Sequence, residues 1–86
     1  MVPVEIRTLR EGERAERLLD RLEKETGIPG IGVIGGRSFQ VDAPSWASAM
    51  AQLDDVLTRV AGDTWRHYLA FVAPQGFERS PRTDRV

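Results

Sequence analysis

The chain contains no cysteine and one histidine, His67. The first absence excludes thiol nucleophiles, disulfides and cysteine-held metals. A small secreted scaffold is normally stapled by disulfides, so the reading is a reducing, cytoplasmic setting. The second absence leaves no imidazole pair, and neither a metal site nor a cofactor is expected. Lysine is nearly missing as well. Of the 12 basic residues only Lys24 is Lys and the others are Arg. That bias, with abundant Ala and Gly, is what a GC-rich bacterial genome encodes. Basic and acidic residues almost cancel, 12 against 13, so the net charge is −1. Such a balance lacks the global field that drives nonspecific nucleic-acid binding. No apolar run exceeds a few residues, and Glu5, Arg7 and Arg10 break up the N-terminal stretch. It reads as neither a signal peptide nor a membrane span.

What is present suits a small soluble domain. The chain is 86 residues long, with 41% apolar and 29% charged residues. Both fractions are ordinary for a globular protein, and the length allows one core and one shallow site. Val2, Val4 and Ile6 alternate with Glu5 and Arg7, which predicts a half-buried strand over residues 2–8. A helix is expected from about Arg10 to Thr26. Thr8-Leu9-Arg10-Glu11 has capping-box spacing, although Gly12 places the start in competition. Ala15, Leu18, Leu19 and Leu22 form its apolar stripe. Glu13–Arg17 and Asp20–Lys24 are i,i+4 pairs on the solvated side. Gly27 is placed to end the helix as a left-handed residue.

Two short strands follow, about Ile31–Ile34 and Arg37–Val41, joined by Gly35-Gly36 as a hairpin turn. A second helix starts between Asp42 and Ser45 and runs to Ala61. Its stripe includes Trp46, Ala49, Leu53 and Leu57, and Gly62 ends it. A last strand is expected over Thr64–Val72, with Trp65, His67, Leu69 and Phe71 on one side and Arg66 and Tyr68 on the other. The domain is thus residues 1–73, and residues 74–86 form a polar tail expected to be disordered. The order is β-α-β-β-α-β. It implies an α+β, ferredoxin-like two-layer sandwich: a four-stranded antiparallel sheet with two helices on one face.

One motif invites a cofactor. Gly30 to Gly35, GIGVIG, spells the G-x-G-x-x-G of dinucleotide-binding loops. That loop works only when a strand precedes it and a helix begins within it, so that phosphate meets a helix N-terminus. Here a helix precedes and a strand follows, and no acidic residue stands where a ribose partner belongs. Gly30 and Gly32 are read instead as small positions on an edge strand, where another backbone could approach.

No catalytic constellation is assigned. His67 lacks an orienting acid and a nucleophile, and Asp54-Asp55 diverge by about 100° on a helix. The expected function is that of a non-catalytic binding or adaptor module. It would self-associate as a homodimer, or dock a protein partner, through the open sheet face or the glycine-rich edge. Arg7, Gln40, Arg66, Tyr68, Gly30 and Gly32 are the expected binding residues. The alternative is a small enzyme or ligand-binding protein with a cleft around Trp46, Trp65 and His67. A third class, weak nucleic-acid binding, lacks exposed aromatics on the central strands for base stacking.

Overall fold

The first strand, β1, spans Val2–Thr8. Its alternation is realised: Val4 and Ile6 are fully buried, while Pro3 and Arg7 are exposed. A computed structural model of the protein describes residues 1–10 and 12–74, so the expected tail beyond Pro74 and the Glu11 half of the expected capping box lie outside the described residues. The elements after β1 are α1 (Glu13–Thr26), β2 (Ile31–Val33), β3 (Gly36–Val41), α2 (Trp46–Ala61), a 3-10 helix (Gly62–His67) and β4 (Leu69–Val72). The strands pair antiparallel in the order β2-β3-β1-β4. The protein is therefore the expected α+β sandwich, with β1 and β3 central and β2 and β4 at the edges.

Local chemistry explains most boundaries. Helix α1 begins after Gly12, later than Arg10, because Thr8 is committed elsewhere. Thr8 belongs to β1, and both its N–H and its hydroxyl donate to the Gly35 carbonyl, at 2.8 and 3.2 Å. At its other end Gly27 takes φ +74° and donates its N–H to Glu23 O, closing the last turn. Helix α2 is capped by Ser45, whose hydroxyl oxygen accepts from the Ser48 N–H at 3.1 Å. An N-cap side chain of this kind satisfies one of the orphan donors of the first turn.

Two expectations need correction. The hairpin turn is Ile34-Gly35, and Gly36 is already the first residue of β3. Gly35 alone has positive φ, at +79°. Positive φ at the second central residue only is the type II pattern, whereas types I′ and II′ require it at the first. The expected strand over Thr64–Val72 is also too long. Its first half coils into the 3-10 helix, and only Leu69–Val72 joins the sheet. Trp65 is the cause. Its indole N–H donates to Thr58 Oγ1 on α2 at 3.1 Å, and its ring meets Phe71 edge-on at 5.6 Å. Burying so large a ring between α2 and β4 requires the chain to turn in beneath the helix end. Trp65 and Leu69 are both buried, but by different local structures, so the period-two pattern misleads here.

The core is single-sided. Val4, Ile6, Phe39, Val41 and Leu69 from the strands meet Ala15, Leu19 and Leu22 of α1 and Ala49, Leu53 and Leu57 of α2. Trp65 closes one end of it. Among the described residues no helix covers the opposite side of the sheet, and none is long and apolar enough to cross a membrane.

Candidate functional site

The strand registers fix what the open sheet face displays. Residues paired across strands share a face. Arg7 therefore lies in line with Gly36 and Val33 on one side and with Ala70 on the other. Glu5 lies in line with Ser38 and Ile31, and with Val72. Pro3 and Gln40 form the next row. The face is thus mixed. Charge is confined to one acid and one base on β1, and apolar side chains stand at both edges. Ile31 is 54% exposed and Val33 38%, while Ile34, at the hairpin tip, is 98% exposed. Neither Glu5 nor Arg7 has an ion-pair partner among the described residues.

A shallow groove of about 630 Å³ runs off one end of this face, past Pro3, Glu5, Ser38 and Val72 to Val2 and Trp46. Its walls are mostly apolar, and Glu5 is the one charged side chain among those lining it. Trp46 packs partly against the core at the start of α2.

The residues singled out from sequence separate into distinct places. Arg7 and Gln40 lie on the open face, both exposed. Arg66 and Tyr68 do not, because the segment that carries them is not strand. Arg66 lies on the helix side, with its guanidinium 4.5 Å from the Trp65 ring and both terminal nitrogens 3.3 Å from the Asp54 carboxylate. Tyr68 is half-buried near the start of α1, with the guanidinium groups of Arg10 and Arg14 at 5.8 and 5.5 Å from its ring. His67 is exposed at the end of the 3-10 helix, and Trp65 beside it is buried in the core. Trp46 begins α2 whereas Trp65 and His67 follow its end, a separation of about 24 Å along a helix of 16 residues. The three residues of the expected cleft are not brought together.

The glycines also divide. A Cβ on Gly30 would sit 2.8 Å from Glu23 Oε2 and 3.0 Å from Arg37 Cδ, so this glycine makes room for an ion pair. A Cβ on Gly32 would meet nothing within 4 Å. Gly36 is the tightest: a Cβ there would lie 1.9 Å from the Ile6 carbonyl oxygen.

Sequence reasoning missed Arg37. It projects from β3 toward α1 and is only 17% exposed, bonded to Glu16 at 2.7 Å, to Asp20 at 2.9 Å and to Glu23. Partial burial works against its charge, but the three carboxylates outweigh that and hold its pKa above the ordinary arginine value. Asp20 therefore serves Arg37 and not Lys24 as expected, while Glu13–Arg17 does pair, at 2.8 Å. The available signal was three acids at i, i+4 and i+7 on one helix face. That spacing lines them up for a single cation from outside the helix.

No family model matches the chain, and neither a curated protein nor a solved structure matches it. The reading of the site rests on its geometry.

Proposed function

We propose that this protein is a non-catalytic docking module whose working surface is the open sheet face together with the adjoining edge strand β2. One observation carries the reading: Ile31, Val33 and Ile34 are exposed side by side at that edge. They flank a face whose two charges, Glu5 and Arg7, are left unpaired among the described residues. Exposed aliphatics clustered with unpaired charges are what a partner's surface covers, whereas apolar residues scattered singly need no explanation. The groove beside Trp46 is continuous with this face and extends it. Strand β2 carries no charged side chain of its own, so nothing on it interrupts this apolar edge. We place the protein in a cytoplasmic, bacterial setting on its composition.

A photo-crosslinking amino acid at position 31, compared with one at position 17, tests this in the cell. Arg17 lies on the outer side of α1 and is 77% exposed in its side chain. The expected result is a protein adduct at position 31 that is missing at position 17. No adduct at position 31, or the same adducts from both positions, overturns the reading.

A further inference from the structure

Two rows of side chains cross the open face at right angles to the strands. One row is Ile31, Ser38, Glu5 and Val72; the other is Val33, Gly36, Arg7 and Ala70. The rows are neighbours, two residues apart along each strand, a spacing of about 6.7 Å. We propose that the partner of this face is a second copy of the chain, packed sheet to sheet about a two-fold axis that runs across the strands between the two rows. The inference rests on the docking reading above and names its partner.

Such an axis lays each row on the opposite row of its copy. Ile31 then meets Val33 of the partner subunit, joining aliphatics at one edge. Glu5 meets Arg7 of the partner subunit, and the reverse pair forms by symmetry. The other two positions set larger against smaller: Ser38 over Gly36 of the partner subunit, and Val72 over Ala70 of the partner subunit. Neither charge gives up an internal ion pair, since neither has one among the described residues. Potentials that complement across an interface fix its register and exclude other arrangements.

Those other arrangements are disfavoured by charge. A two-fold axis along β1 would set Glu5 against Glu5 and Arg7 against Arg7. Edge-to-edge pairing through β2 would use a strand of three residues. It would also bring together two acidic clusters, because Glu16, Asp20 and Glu23 flank that edge with only Arg37 among them. The strands have 7, 3, 6 and 4 residues, and at about 3.3 Å per residue and about 4.8 Å between strands they project roughly 320 Å² per copy, an area in the weak, transient class. The dimer accordingly forms in the range of about 10–500 μM.

Sedimentation of the purified protein, from about 5 μM to about 1 mM, spans that range. The wild type should rise from a mass of 9.6 kDa toward twice that value. Glu5→Arg and Arg7→Glu should each raise the dissociation constant by roughly tenfold or more, since each sets like charges opposite one another at two symmetric places. Mixing the two variants should restore association as a heterodimer, because one copy then offers two arginines and the other two glutamates. Circular dichroism confirms that each variant is folded. A wild type that stays monomeric throughout overturns the inference, as does a mixture that fails to associate. A monomer that still gives protein adducts at position 31 in the cell removes the second copy and keeps the docking reading. A monomer without such adducts removes both.

Discussion

Substituting Gly36 by alanine should be the most damaging single-methyl change in this domain. The added Cβ would lie 1.9 Å from the Ile6 carbonyl oxygen, 2.8 Å from the Ile6 carbonyl carbon and 2.9 Å from Arg7 Cα. All three atoms are backbone, so no side chain can swing aside. Relief to the 3.0 Å floor of real Cβ contacts needs a shift of 1.1 Å (3.0 minus 1.9) between β3 and β1. Those are the two central strands, and Gly36 pairs directly with Arg7. A hydrogen bond lengthened by that much is lost. Opening the ladder here also pulls at the Gly35 carbonyl held by Thr8. Two or three bonds at about 1 kcal/mol each, plus an overpacking cost of about 1–3 kcal/mol, give roughly 3–6 kcal/mol. A domain of 86 residues has a total stability of roughly 4–13 kcal/mol. Denaturant unfolding followed by circular dichroism should show a midpoint shifted by a large part of the whole, or a chain already unfolded in buffer. Gly32→Ala is the control: its Cβ would meet nothing within 4 Å, so it should be neutral or slightly stabilising. A Gly36→Ala variant within about 1 kcal/mol of wild type would refute the reasoning, because overpacking of this kind typically costs more.

Three further outcomes are expected. Arg37→Gln should cost about 1–2 kcal/mol, a figure kept low because Glu16 and Asp20 are 59% and 67% exposed and solvent screens them. Part of that loss should return in 1 M salt as repulsion among the three stranded acids is screened, and chemical denaturation at about 0.05 and 1 M NaCl reads both effects. Trp65→Ala should cost about 3–5 kcal/mol by thermal melting, since it empties the buried end of the core, and Trp65→Phe should cost less while losing the bond to Thr58. Ser45→Ala removes the cap that accepts from Ser48 and should cost about 1 kcal/mol in the same assay.

The architecture was legible because its signals are local. The alternation of β1, the stripes of both helices and the positive-φ residue Gly27 each depend on neighbours within a few positions. The open-face positions of Arg7 and Gln40 followed from the same alternation. What failed was where one large side chain or a distant partner decides the outcome. Trp65 fits a strand pattern by spacing, but the hydroxyl of Thr58 and the edge of Phe71 turn its segment into a 3-10 helix, carrying Arg66 and Tyr68 off the face. Arg37 finds its three acids across 14 to 21 positions of sequence. Nothing near Arg37 announces that it is the cation those acids share. By spacing alone Gly30 reads as a small position on an edge strand and Gly36 as half of a hairpin turn. One makes room for that ion pair and the other for the backbone of β1, a distinction that only the assembled sheet reveals.

The end of β1 is tied on both flanks, by Thr8 to the hairpin at Gly35 and by Leu9, whose N–H donates to the Tyr68 carbonyl. That double tie bears on how the chain is made. Of the strands of this sheet, the one made earliest, β1, is central, and one of its two neighbours, Leu69–Val72, is the one made last. At about 5–20 residues per second, its far edge stands open for several seconds of synthesis. A nascent chain that has emerged only as far as residue 68 would hold β1 and β3 with that flank unpaired. Chaperone occupancy on such a chain should persist until β4 emerges, and then fall in a single step.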